Sequence, residues 1–180
     1  NTTNVLVLNS AAPTITDSTF TLGIDENGYH GPAIQAHDAG KGILGRLTIK
    51  NSFFSAALGS PSEGSDCGTG QPGRAAIYIE NSDIDLDTIS VSDNSQGVFF
   101  KASSGQLVNS NFNVKCNAVD TNSYKTTTDA SFVMTISNNT ITTEDGAGIT
   151  AYDGAIIIAN DNSISGAADG SGFGIRDSFV

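Results

Sequence analysis

Met134-Thr135-Ile136-Ser137-Asn138-Asn139-Thr140-Ile141 reads as a short strand, a corner and the start of a second strand. Met134 and Ile136 alternate with polar neighbours at the period-two spacing of a half-buried strand, and the Asn pair then interrupts it. The order apolar-x-apolar-x-(Asn/Asp)-(Ser/Asn)-x-apolar returns from Leu47 to Phe54 and from Ile157 to Ile164. Weaker copies run from Pro13 to Phe20 and from Leu107 to Phe112, and a drifted one, Ile89 to Asn94, ends in Asp93-Asn94. Gly, Asn, Ser and Thr interrupt every candidate helix, so the repeating unit is β-structure.

A second strand type alternates with the first and often follows glycine. Its copies are Gly31-Pro-Ala-Ile34, Arg74-Ala-Ala-Ile77, Gly97-Val-Phe-Phe100, Asn117-Ala-Val119, Gly146-Ala-Gly-Ile149 and Gly172-Phe-Gly-Ile175. Anchors taken at 34, 77, 99, 119, 149 and 175 are separated by 43, 22, 20, 30 and 26 residues. That spacing is too long for hairpins and too short for strand–helix–strand units. A base period in the low twenties with insertions predicts a solenoid of short strands. The expected fold is all-β, a parallel β-helix of about six turns forming a single domain over residues 1–180. Phe20, Phe54, Phe99 and Phe112 are expected in its core.

Corners of such a coil need residues that accept a left-handed backbone, and Asn, Asp and Gly do so at least cost. An Asn at one corner of successive turns can also bond its amide to those above and below. Asn51, Asn109 and Asn138, with Asp17, Asp93 and Asp161 as impure rungs, are the expected polar ladder. The same residues equally suit plain turns facing water. Residues 55–73 are turn formers almost throughout and predict a long lateral loop. Further loops are expected from Gly23 and over Asp120–Ala130. Neither end shows a capping helix, which fits either a piece of a longer array or ends that pair with neighbouring subunits.

The 180 residues carry 8 Lys+Arg against 19 Asp+Glu, a net charge of −11. Nucleic acid and anionic membranes would repel such a chain, and no apolar run reaches the length of a membrane span. The two cysteines, Cys67 and Cys116, admit one intramolecular disulfide or two unpaired thiols. The bridge is the preferred reading, since Cys67 sits in the turn-rich stretch where a staple has most to restrain. Acidity, few bases and a cysteine pair point to an extracellular or cell-surface location.

Few residues offer chemistry. Asp83, Asp85 and Asp87 alternate with Ile84 and Leu86, so three carboxylates share one strand face. Three hard oxygen ligands could hold calcium, and no other cofactor is expected; the same alternation also marks an ordinary solvated face. His30 and His37 lack the matched partners of a zinc site. Tyr29, Tyr124 and Tyr152 lie in turn contexts and could stack on sugars.

The units around Asn51, Asn109, Asn138 and Asp161, with Gly-Ala-Gly-Ile149 and Gly-Phe-Gly-Ile175 between them, resemble the right-handed parallel β-helix repeats of the pectate-lyase-like superfamily. The resemblance implies the right hand of the coil and spans most of residues 13–180, and it specifies architecture rather than activity. Superfamily members include polysaccharide lyases and hydrolases, phage tailspikes and surface adhesins. The Gly-His-Gly and Arg-Ile-Lys signatures of its polygalacturonases are missing from this sequence. The expected role is therefore a non-catalytic structural or adhesive segment of a surface protein or assembly. Its partners would be further copies, neighbouring surface subunits or glycans. The alternatives are a carbohydrate-active enzyme built on Asp83, Asp85 and Asp87, and a tailspike-like glycan-binding segment that would trimerise.

Overall fold

The computed structural model describes residues 5–23, 31–41, 45–56, 75–94, 96–123, 132–166 and 172–176. Among them lie nineteen strands and no helix. Three strands make one circuit, and every pairing between circuits is parallel. The first sheet stacks β1 (Val5–Leu8), β4 (Ile34–His37), β7 (Ala75–Glu80), β10 (Gln96–Lys101), β13 (Val119–Asn122), β16 (Ile149–Tyr152) and β19 (Phe173–Arg176). The second stacks β2 (Thr14–Thr16), β5 (Leu47–Lys50), β8 (Asp83–Asp87), β11 (Ser104–Val108), β14 (Val133–Ser137) and β17 (Ile156–Asn160). The third stacks β3 (Thr19–Leu22), β6 (Phe53–Ala56), β9 (Ser90–Asn94), β12 (Asn111–Val114), β15 (Thr140–Thr143) and β18 (Ser163–Gly166). Six circuits are complete, and β19 opens a seventh.

Strand pleating sends alternate side chains into the tube, so like residues stack in files one strand spacing apart. Ile34, Ile77, Val98, Val119 and Ile149 form one file on the first sheet. Ile49, Leu86, Leu107 and Ile136 form another on the second, each fully buried. Phe20 and Phe54 stack face to face in the third, 4.9 Å between centroids. Phe99 departs from expectation: its neighbours Val98 and Phe100 point inward, so Phe99 points out and packs with Ala75 and Tyr78 in a separate outer cluster. Gly105 shows how tightly circuits approach. At φ +133°, a Cβ there would lie 1.8 Å from the Ile84 carbonyl oxygen.

Between the second and third sheets every circuit turns in two residues. The first is left-handed in all six, at Asp17, Asn51, Thr88, Asn109, Asn138 and Asp161, with φ from 49° to 58°. Five of the six expected ladder positions therefore stack at one corner. Asp93 does not: it lies within β9, also left-handed, beside a break in register, and Thr88 holds its place in the file.

The ladder itself sits one residue further on. The corner residues face solvent, whereas the next side chain turns inward and meets the main chain of the adjoining circuit. The Ser18 N–H donates to Ser52 Oγ at 3.3 Å, the Ile89 N–H to Ser110 Oγ at 3.1 Å, and the Ser110 N–H to Asn139 Oδ1 at 2.9 Å. The Asn139 N–H and its Nδ2 both donate to Asn162 Oδ1, and Nδ2 also donates to the Leu107 carbonyl. A buried corner N–H without a partner would cost about 1–3 kcal/mol. Four of the six corners, at Ser52, Ser110, Asn139 and Asn162, supply such an acceptor, whereas Ile89 holds the position with an apolar side chain. The corner between the first and second sheets repeats the device: the Ala39 N–H bonds Ser82 Oγ and the Ser82 N–H bonds Ser103 Oγ.

Candidate functional site

Three outer faces leave the coil, and their chemistry differs. On the first sheet, register aligns His37, Glu80 and Lys101 on successive strands. Glu80 receives Lys101 Nζ at 2.6 Å, His37 Nδ1 at 3.1 Å and the Tyr78 hydroxyl at 2.9 Å. Burial raises the Glu80 pKa, but the Lys101 and Tyr78 hydrogen bonds and the charges of Lys101 and His37 outweigh it and hold it below the usual carboxylate value. Gln35 Nε2 lies 2.7 Å from His37 Nε2, and the imidazole meets Tyr78 edge-on at 5.6 Å. Tyr78 in turn stacks on Phe99 at 5.5 Å.

One strand beyond Phe99 lies Asp120, only 1% exposed. Its Oδ1 accepts from Asn117 Nδ2 at 2.8 Å and from the Thr150 hydroxyl, while Oδ2 is buried without a hydrogen-bond partner. Burial is the dominant cause that pushes its pKa up from 3.8 to about 6, against the two hydrogen bonds. Asn117 Oδ1 accepts the Ala147 N–H at 2.8 Å, so Asp120 anchors a bridge between the connections that precede β13 and β16. A carboxyl sealed in this way holds main chain in place; it has no open approach for a substrate.

The second sheet carries the expected calcium triad. Asp83, Asp85 and Asp87 do share the outer face of β8, with Ile84 and Leu86 fully buried behind them. Each carboxylate is already engaged by a neighbouring circuit. Asp83 accepts from the Ser104 hydroxyl, Asp85 from Arg46 Nη1 at 3.0 Å, and Asp87 from Asn109 Nδ2 at 3.0 Å, with Lys50 Nζ 3.8 Å away. The Asn109 bond is the largest cause of a lowered Asp87 pKa; burial opposes it, and Thr88 and Lys50 add to it. Among the described residues no three acidic, His or Cys side chains gather as a metal-ligand set. The acids of β8 therefore act as fasteners between circuits, and the bases they meet come from β5 and the segment just before it.

The third sheet presents two straight rows. One runs Thr19, Phe53, Ser90, Asn111, Thr140, Ser163; the other runs Thr21, Ser55, Ser92, Asn113, Thr142, Ser165. No charged side chain occupies either row. Register holds through both rows and breaks just past the second, at Asp93, whose carboxylate accepts from the Ser92 hydroxyl at 3.1 Å.

Of the remaining sequence expectations, Tyr152 packs against the Ala75–Tyr78–Phe99 cluster. Cys116 is buried and disulfide-bonded, while Cys67 lies outside the described residues, as do His30, Tyr29 and Tyr124. So does most of the 55–73 loop: residues 55 and 56 close β6, and 57–73 are not described. The residues that sequence reasoning missed are Glu80, Lys101, Asn117 and Asp120, and the rungs Ser52, Ser110, Asn139 and Asn162. The rungs did leave a signal, the (Ser/Asn) position of the repeat.

No curated protein and no solved structure matches the chain. A family model described as a right-handed β-helix region matches residues 3–178. With nineteen parallel-paired strands winding through three sheets, the chain belongs to the right-handed β-helix family.

Proposed function

We propose that this β-helix is a non-catalytic structural or adhesive segment of an extracellular surface protein or surface assembly, whose lateral faces meet neighbouring subunits or glycans. The observation that carries this reading is how the acids are used. Glu80, Asp85 and Asp87 each pair with a base from an adjacent circuit, Asp83 with a hydroxyl, and Asp120 is sealed. At these five acids charge is consumed in holding circuits together, which suits a rigid rod. The disulfide at Cys116 supports an oxidising location.

The carbohydrate-active alternative draws its support from Asp120, whose raised pKa is what a general acid needs. Its burial argues for a structural carboxyl instead. The test is incubation with a panel of acidic and neutral polysaccharides, following new reducing ends and unsaturated products. The expected result is no release; release that Asp120→Asn abolishes would restore the enzyme. Sedimentation of the same sample addresses the tailspike alternative, which demands a trimer.

A further inference from the structure

The outer face of the third sheet has a geometry that solvation alone does not call for. Its two rows hold Thr, Ser and Asn at eleven positions of twelve, Phe53 being the exception. The chain carries 27 charged residues, yet none stands in these rows. Thr19, Thr21, Asn111, Asn113, Thr140, Thr142, and both serines of β18 are exposed. The two-residue corner beside them recurs in every circuit, so no insertion enters from the second-sheet side to break the plane.

Lattice arithmetic identifies what such a face fits. Neighbouring strands place successive side chains of one row about 4.8 Å apart, and the two rows lie about 6.6 Å apart along the strand. Water oxygens bonded tetrahedrally at about 2.75 Å put second neighbours about 4.5 Å apart, and the same network repeats along its six-fold axis every about 7.3 Å. The mismatch is about 0.3 Å per rung, accumulating to about 1.5 Å over the five steps of a row, and about 0.7 Å across the single gap in the other direction, which rotation of the terminal hydroxyls and amides can take up. Charged groups would hold their own hydration shells and disorder that network; these neutral hydroxyls and amides can join it. A crystalline polysaccharide would instead be expected to stack on aromatic rings, and Phe53, 41% exposed, is the one ring in the rows.

We propose that the outer face of the third sheet is an ice-binding surface, its two rows of hydroxyls and amides docking on a crystal plane of water. A single such hydrogen bond is worth about 1 kcal/mol net. A rigid sheet presents many at once without a further ordering cost, which is how adsorption becomes effectively permanent. The inference rests on this face alone and is independent of any polysaccharide result.

The test is ice recrystallisation inhibition and crystal shape in the presence of the full chain, with fluorescently labelled protein followed onto a single ice crystal. The parent should slow recrystallisation, facet growing crystals and label the ice. Asn113→Tyr and Thr142→Tyr, which lift a ring above the plane, should each raise the concentration needed by about tenfold or more, a loss of at least about 1.4 kcal/mol. Thr135→Tyr, on the outer face of the second sheet, should behave as the parent, with thermal melts confirming that all three fold. A parent without effect on ice, or third-sheet variants indistinguishable from it, would overturn the proposal.

Discussion

The corner between the second and third sheets takes two residues in every circuit, whereas the connection from the third sheet to the first ranges from one residue to 18. The difference lies in where the turning main chain finds its hydrogen bonds. At the tight corner, amides are buried and side chains of the next circuit satisfy them, as Asn139 does for Ser110. An extra residue there would displace the rung and strand the amide below it. Insertions collect at the other two connections, including the first-to-second-sheet corner, where nine residues follow His37 and Ala39 still keeps its bond to Ser82 Oγ. The two rows of the third face run beside that invariant corner.

Lengthening the two connections should give the largest contrast. A Gly-Ser-Gly-Ser insertion between Asn138 and Asn139 should abolish cooperative unfolding, as read by denaturant melts. The same insertion between Gly64 and Ser65, in the 18-residue connection, should cost less than about 1 kcal/mol, because closure entropy grows slowly with length. Equal losses would erase the distinction between the corners.

Neighbouring asparagines sharpen it further. Asn139→Leu removes an acceptor from the Ser110 N–H and a donor from the Leu107 carbonyl, and should cost about 3 kcal/mol or more. Asn138→Gly, at φ 58° and exposed, should stay within about 0.5 kcal/mol, since glycine takes that backbone freely.

On the wider side, Asp120 makes a pH-dependent prediction. Folded, it ionises near pH 6; unfolded, near its ordinary 3.8. The folded chain therefore holds that proton more tightly, and the Asp120 contribution to stability is full below about pH 4 and is lost as pH rises towards 6. Glu80 and Asp87, with lowered pKa values, contribute in the opposite sense at acid pH. The shift corresponds to a loss of about 3 kcal/mol above pH 6. Asp120→Asn should flatten that decline and melt higher than the parent at neutral pH. A parent whose stability is level from pH 4 to 7 would contradict the buried acid.

How far the sequence alone reached follows from the range of its signals. Local alternation at Met134–Ile136 and Leu47–Ile49, and the Asx corners after them, are readable because strand and corner are contiguous. The six glycine-led or small-residue segments all fall at the first sheet, β4, β7, β10, β13, β16 and β19. The drifted copy at Ile89–Asn94 misled because it imitates a second-sheet strand and its corner, when that circuit had already turned at Thr88. Partnerships between circuits were out of reach. Arg46 meets Asp85 from 39 positions away, and unequal insertions hide the register that sets Thr48 opposite Asp85 and so brings Arg46 within reach. Nor does any local pattern tell that Phe99 faces outward or that Asp120 beyond it is sealed.

Amide hydrogen exchange at Ser110 and Asn139 tests the central claim most directly, namely that buried side-chain rungs at the tight corner hold successive circuits together. Both amides should exchange only through global unfolding, with protection equal to that of Leu107 and Ile136 in the core strands. Exchange at the rate of an open turn would contradict it.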